Sequence, residues 1–293
     1  MIIMDYNGIA IGNIMINKDN DEDMIRHMIL NTIRMYKVKF QKEYGDVVIA
    51  CDGINNWRKE VFPQYKANRK KTRDTSDFDW NEAFRILNTV REELRENFPY
   101  KVIHVDGCEA DDIIGTLVEN TNEFGNHEKV MIISADKDFA QLQRYDNVRQ
   151  FSPLTKKFVD EDHALLKLQE HIIRGDASDG IPNVLSNDDV FIEGLRQTPV
   201  TQKKMVEILN HLESWDEDYL DFYHGELLDI ASWYRNYQRN QRLIDLTFTP
   251  QELKSDILNE FNTQDPWSNK GKVFPYLINK KCKLLIESIE ELI

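Results

Sequence analysis

Gly107 to Gly115 reads G-C-E-A-D-D-I-I-G and places three carboxylates, Glu109, Asp111 and Asp112, within four consecutive positions. The preceding Lys101 to Val105, K-V-I-H-V, is β-rich, and Ile113, Ile114, Leu117 and Val118 continue at helical spacing. The acids therefore fall where a strand turns into a helix. In mid-helix Glu109 and Asp112 would share a face while Asp111 pointed away; at a first turn, with Glu109 half outside the helix, all three can converge. Capping of the free N–H groups accounts for one such acid or two, because negative side chains are favoured at a helix N-terminus. A cluster of three asks for a cation.

Reading outward, the arrangement recurs. Met1 to Met4 is an apolar strand ending in Asp5; Asp46 to Ala50, D-V-V-I-A, is closed by Cys51 and Asp52; Lys129 to Ser134, K-V-M-I-I-S, runs into Ala135, Asp136, Lys137 and Asp138. Amphipathic stretches separate these runs, at about Glu22 to Tyr44, with Ile25, Met28, Ile29, Thr32, Ile33 and Tyr36 on one stripe, and at about Trp80 to Asn97, with Phe84, Leu87, Val90, Leu94 and Phe98 as core. Apolar strands alternating with helices predict an α/β fold with a mostly parallel central sheet and flanking helices, in which ligands bind outside the carboxyl ends of the strands. All the acids then lie on one edge. Singly, each is also explained as a turn or cap residue. Together they repel, and the set is tolerable only with divalent cations. Oxygen ligands without paired histidines or cysteines favour Mg²⁺ or Mn²⁺ over zinc.

The chain has 293 residues, enough for one large domain or for an α/β domain with a helical appendage. Its 51 acidic against 37 basic residues leave a formal net charge of -14, which argues against a nucleic-acid partner unless the basic residues are concentrated in one place. They are: Trp57 to Arg73, W-R-K-E-V-F-P-Q-Y-K-A-N-R-K-K-T-R, holds seven basic residues against one acid. Pro63 can open a helix, after which Lys66, Arg69, Lys70 and Arg73 fall at i, i+3, i+4 and i+7, with Phe62 and Tyr65 adjacent. Phosphates against such a stripe and bases against aromatic faces is the usual scheme for a single strand. The plain alternative is a solvated charged face; insertion directly after the acid-tipped second strand favours the substrate role. Cys51, Cys108 and Cys282 make an odd count without metal-type spacing, and no apolar run approaches the roughly 20 residues of a membrane span, so a reduced, soluble, cytoplasmic protein is expected.

His171 to Val184, H-I-I-R-G-D-A-S-D-G-I-P-N-V, adds Asp176 and Asp179 in a Gly-bounded turn. In combination, C-E-A-D-D, S-A-D-K-D-F, R-G-D-A-S-D-G-I-P and Y-K-A-N-R resemble the structure-specific 5' nucleases, which include flap endonucleases and the 5'-3' exonuclease domains of bacterial DNA polymerases. Within that family the chain is most similar to the RNase H branch of the T-even bacteriophages. The resemblance implies a PIN/5'-nuclease-like domain over residues 1–185 with a basic helical arch at about 55–80, and a helical C-terminal lobe over 186–293. It implies two Mg²⁺ ions, with Mn²⁺ as substitute: one held by Asp5, Asp52, Glu109, Asp111 and Asp136 with Asp112 alongside, the other by Asp138, Asp176 and Asp179. Lys66 and Arg69 would be the cations next to the scissile phosphate and Tyr65 a base-stacking or positioning residue. Arg58 and Lys59 would contact phosphate nearby, with Lys70, Lys71 and Arg73 on the same nucleic-acid stripe.

The activity so implied is a Mg²⁺-dependent 5'-3' exonuclease and flap endonuclease with RNase H activity, which removes RNA primers and adjacent DNA from lagging-strand fragments. Its partners would be branched or nicked DNA and RNA–DNA hybrid, with a single-stranded-DNA-binding protein and a sliding clamp, and the chain would act as a monomer. The match departs after Pro182. Asn183 replaces a glycine, and L-S-N-D-D-V-F-I-E-G stands where relatives carry a Gly-x-Gly hairpin that grips duplex backbone, often with a monovalent cation; Lys203 and Lys204 are left to supply part of that grip. Two other readings compete. M-D-Y-N-G faintly resembles the nucleophile loop of haloacid-dehalogenase phosphatases but lacks their second aspartate, and a non-catalytic DNA-structure-binding module would have no need for so many acids. Beyond Thr201, helices are expected at about Gln202 to Leu212, Asp216 to Asn240, Pro250 to Phe261 and Tyr276 to Ile293, with Trp215, Tyr219, Phe222, Trp233, Tyr234 and Tyr237 as the core of a small lobe.

Overall fold

Short apolar runs build the sheet of this computed structural model, which describes residues 1–16, 21–123, 127–213 and 227–293, with the side chains of 70–72, 74, 213 and 227–232 undescribed. Strands β1 (Ile2–Asp5), β2 (Val47–Cys51), β3 (Lys101–His104) and β4 (Val130–Ile133) are joined by β5 (Val148–Ser152) and β6 (Lys157–Val159) in the order β3-β2-β1-β4-β5-β6. All neighbours pair in parallel except β5 with β6. The mixed, mostly parallel sheet agrees with the expectation. β2 and β4 are buried at every residue, as strands covered on both faces must be. The sequence reading missed β5 and β6: Arg149 and Gln150 interrupt the apolar run of the first, and the second has three residues.

The helices begin with α1 (Tyr6–Ile16), which starts directly at the end of β1 and was also missed, since Asn7, Gly8, Gly12 and Asn13 obscure its pattern. The expected long helix is α2 (Glu22–Tyr44), where the Asp21 carboxylate caps the N–H groups of Asp23 and Met24 at 3.0 and 3.1 Å. Then come α3 (Arg58–Val61), α4 (Ala67–Asp74), α5 (Trp80–Asn97), α6 (Ala110–Asn122), α7 (Ala164–Arg174), α8 (Gln202–Glu213) and α9 (Leu227–Ile244). Last are α10 (Gln251–Thr263), α11 (Val273–Asn279), α12 (Lys283–Ile286) and α13 (Ile289–Leu292). One continuous helix was expected over Tyr276 to Ile293; the chain instead breaks at Lys281, whose φ of 53° ends α11, and again at Ser288. No helix among the described residues is long and apolar enough to cross a membrane.

The chain divides into two units: a sheet unit of residues 1–56, 77–162 and 249–293, and a helical unit of 57–76 and 163–248. These compact units are drawn by packing and do not follow the expected division at 185/186. The final helices return to the sheet because their apolar faces are completed there. Val273, Tyr276, Leu277, Cys282, Leu285 and Leu292 are buried in one cluster with Ile29, Leu30, Ile86, Val90 and Phe98, and Tyr100 donates from its hydroxyl to Leu292 O at 2.7 Å. The Gln264 amide pairs with both backbone groups of Val102 on β3, at 2.9 Å each. A charged knot adds to this: Glu93 accepts from Arg26 Nε at 2.7 Å and from Tyr276 Oη at 2.8 Å, and pairs with Lys280. Burial opposes ionisation of Glu93, but these donors outweigh it and hold the carboxyl below the usual carboxylate range.

The helical unit has its own core of Phe62, Tyr65, Leu168, Ile172, Ile173, Ile181, Met205, Ile208, Trp233, Tyr237 and Leu243. Trp233 and Tyr237 are core as expected, with Tyr234 partly buried against them; Trp215, Tyr219 and Phe222 lie outside the described residues. If residues 249–293 are integral to the sheet unit, Leu277→Ala should lower unfolding free energy by roughly 2–5 kcal/mol. Urea denaturation followed by far-UV circular dichroism measures this; an unmoved main transition would mean the segment is an appendage.

Candidate active site

The order β3-β2-β1-β4 reverses direction at β1, so the crevice outside the carboxyl ends of β1 and β4 is the switch point of the sheet. Asp5 ends β1 there, half-buried. One carboxylate oxygen accepts from Gly8 N at 3.0 Å and the other from Ser134 Oγ at 2.9 Å. A side chain at residue 8 would place its Cβ 2.6 Å from Asp5 Oδ2, so glycine there lets α1 approach this carboxylate without displacing it. Ser134 also accepts from Asp136 N at 3.1 Å, tying the acid loops after β1 and β4 to one hydroxyl. Buried Gln150 donates to the carbonyls of Ser134 and Asp136 at 3.1 and 2.6 Å, which fixes the turn carrying Asp136. Asp5 and Asp136 line one groove of about 810 Å³ with Gly8, Ser134 and Lys137.

Asp52, after β2, accepts from the Asn7 amide and, through Oδ1, from Ala110 N at 2.8 Å. It thereby joins β2 to the start of α6, where Glu109 is the N-cap. The Asp112 carboxylate accepts from Glu109 N at 2.9 Å and from Thr249 Oγ1 at 2.9 Å, and the residue is fully buried. That is a capping box closed from the C-terminal segment, so Asp112 holds the turn, as the capping reading allowed. Glu109 and Asp111 are half-buried beside it. Burial pushes the Asp5 carboxyl up to about 6, and the charges of Asp52 and Asp136 add to the rise against the hydrogen bonds from Gly8 and Ser134. Asp138 N donates to Asp136 Oδ1 at 3.0 Å, at the start of a 3₁₀ turn over Lys137–Arg144.

The second expected metal set draws Asp138 from the sheet unit and Asp176 and Asp179 from the helical unit. Within the latter, Asp176 is buried and organises its own turn: Oδ1 accepts from Ser178 N and Oγ at 2.8 and 2.6 Å, and Oδ2 lies 3.2 Å from His171 Nε2. Gly175, at φ 65°, leads in; a Cβ there would meet Ile181 O at 2.4 Å. Asp179 faces the basic segment. It accepts from Tyr65 Oη at 3.1 Å, lies 3.5 Å from Lys66 Nζ and is paired with Arg69.

The basic segment itself departs from expectation. Pro63 opens a turn, and α4 starts only at Ala67, because Lys66 sits at φ 57° with its N–H on Asp179 O at 2.7 Å. Arg58 is 2% exposed, stacks 4.7 Å from the Trp57 ring and donates to Leu243 O at 2.8 Å near the end of α9. Its guanidinium is held inside the helical unit by these contacts. Tyr65 is 3% exposed, with its ring in the core of the helical unit. Lys59 is exposed, Arg73 is half-exposed with Nε 3.3 Å from Arg69 O, and the side chains of Lys70 and Lys71 are undescribed. Lys203 and Lys204 lie 4.0 and 3.4 Å from Glu207 on α8. Sequence reasoning missed Asn7, Ser134, Gln150 and Thr249, since a neutral hydrogen-bonding partner has no charge pattern; only Asn7 and Gly8, directly after an acid at a strand end, gave a signal.

The family model described as "5'-3' exonuclease, N-terminal resolvase-like domain" matches residues 10–169, and the one described as "T4 RNase H, C terminal" matches 163–292. A ribonuclease H of Enterobacteria phage T4 is 32% identical over 99% of this chain and 94% of its own. Among solved structures, the T5 5'-exonuclease with bound zinc superposes with a TM-score of 0.66 at 19% identity, over 88% of this chain and 98% of that one. The T5 flap endonuclease in a pseudo-enzyme–product complex with DNA and metal ions gives 0.64 at 18% identity, over 94% and 98%. At such identities the likeness is one of fold. With a family match over more than half its length and a relative aligned over nearly all of both chains, the chain belongs to the 5'-3' exonuclease family, in the branch that carries the T4 RNase H C-terminal domain.

Proposed function

We propose that the chain is a divalent-metal-dependent 5' nuclease that hydrolyses phosphodiesters as a 5'-3' exonuclease and flap endonuclease with RNase H activity, removing RNA primers and adjoining DNA from lagging-strand fragments. The observation that carries this reading is the gathering of Asp5, Asp52 and Asp136 at the switch point of the sheet, with Asp5 pushed up to about 6 by burial and by its neighbours' charge. The names of the relatives support the substrate class.

The residues present fit a hard divalent cation, because the donors are carboxylate oxygens whose mutual repulsion a cation offsets. Asp5, Asp52, Glu109, Asp111 and Asp136 would hold Mg²⁺ or Mn²⁺; the ligands of a second ion, Asp138, Asp176 and Asp179, rest on the sequence motifs alone. When bound, the ions supply Lewis acidity toward the phosphoryl oxygens and lower the pKa of water. Ser134 and Gln150 keep Asp5 and Asp136 in register for that task. Lys66 and Arg69, placed by Asp179, offer positive charge to a phosphate. Replication partners, a single-stranded-DNA-binding protein and a sliding clamp, belong to this reading.

The decisive experiment is a gel of 5'-flap, nicked-duplex and RNA–DNA hybrid substrates with Mg²⁺ and with EDTA; cleavage of none in Mg²⁺ would refute the reading. Asp136→Asn should lower turnover by at least about 100-fold while leaving equilibrium binding intact or tighter, since it removes a charge that repels DNA. Lys66→Ala should lower kcat more than it weakens affinity; equal losses would make Lys66 a phosphate anchor only. Asp5→Asn tests the electrostatics without substrate. Between about 3.8 and 6 the folded protein binds a proton that the unfolded chain releases, so the Asp5 contribution to stability is present below this window and lost as pH rises through it. At pH 7 without divalent cation Asp5→Asn should therefore be more stable by up to roughly 3 kcal/mol, read as a higher Tm, and Mg²⁺ should raise the Tm of the parent protein more than that of the variant.

A further inference from the structure

Helix α9 carries a cationic face that the cleavage reading does not use. Arg235, Gln238, Arg239 and Arg242 fall at i, i+3, i+4 and i+7, and with Val61, Gln241 and Phe248 they line a pocket of about 430 Å³ within the helical unit. A stripe of arginines is ordinarily a solvated surface. Here Arg239 is built in and Arg235 is anchored by an ion pair. Asp188 accepts from Arg235 Nη2 at 2.8 Å and from Arg239. Arg239 also donates to Pro182 O at 3.0 Å and lies over the Phe62 ring at 5.1 Å, with 9% of its side chain exposed. Asp188 belongs to the N-D-D stretch that stands where the resemblance implies a glycine hairpin, and it brings a negative charge there. In the structure it orients guanidiniums instead, and one carboxylate shared between two of them leaves the pocket positive. Arg242 is exposed and makes no ion pair among the described residues, and Phe248 is 41% exposed at the pocket.

We propose that this pocket is a binding subsite for a single nucleic-acid strand, in which the guanidiniums of Arg235 and Arg242 take backbone phosphates and the Phe248 ring stacks on an unpaired base. The proposal takes the ligand class from the nuclease reading, but none of its residues is among the carboxylates or the cations assigned to cleavage. A duplex would leave Phe248 idle, because its base faces are already stacked; amides at Gln238 and Gln241 suit the edges of an unpaired base.

The test is fluorescence anisotropy of a labelled oligo-dT strand in EDTA, where no hydrolysis occurs, across a salt series. Arg242→Ala should weaken binding about five- to tenfold and make the slope of log K against log salt shallower by about 0.7, the value for one lost phosphate contact on a single strand. Phe248→Ala should weaken binding at least about fivefold with the slope unchanged, and Phe248→Trp should restore it. Thermal melting confirms that each variant is folded; both positions are exposed. Unchanged affinity and slope in Arg242→Ala would overturn the subsite even if the parent protein cuts DNA in Mg²⁺. Loss of binding in the variants would support it even if the parent cuts nothing, so the two readings fail separately. An equal loss on blunt duplex would overturn the single-strand assignment.

Discussion

Negative charge confined at one sheet edge is the constraint to which the rest of the molecule answers. Asp5, Asp52 and Asp136 end different strands, and the parallel order with its reversal at β1 brings those ends together whatever the side chains prefer. The chain answers with donors: backbone N–H groups of Gly8 and Ala110, the Ser134 hydroxyl and the Asn7 amide. These fix the carboxylates but do not neutralise them, and Asp5 keeps a raised pKa. A hydrogen bond from a neutral group stabilises a carboxylate less than a full positive charge at the same distance. The helical unit solves the parallel problem differently, by setting Lys66 and Arg69 against Asp179 and Arg235 and Arg239 against Asp188.

The first four strands and their terminal acids were legible because a strand covered on both faces must be apolar throughout and must stop where polarity returns. β5 was not, since Gln150 is buried to hold the Asp136 turn and so breaks the apolar run for a reason only the fold supplies. The basic segment was legible as charge and illegible as geometry. Nothing in W-R-K-E-V-F-P shows that Arg58 will be buried on α9, or that Lys66 will take a left-handed backbone to meet Asp179. Likewise amphipathic helices at 250–293 announce an apolar face without naming the surface that covers it. Of the opening acids, Glu109 and Asp112 form the capping box that the helix-start reading allowed, and Asp111 is half-buried in the same turn.

The division of the chain into two units follows packing and not chain order. The sheet unit is completed by a segment more than a hundred residues downstream, through Tyr276, Leu277 and the Glu93 knot. Contacts of such sequence separation slow folding, because the intervening chain must be ordered before they form.

Gln264 has a bearing on the fate of the protein at high concentration. By meeting both the N–H and the C=O of Val102, its amide imitates a neighbouring strand along the outer margin of β3. The opposite margin, β6, is three residues long and carries Lys157. Among the described residues, neither margin of the sheet therefore offers a long unpaired template on which a second molecule could lay down a strand.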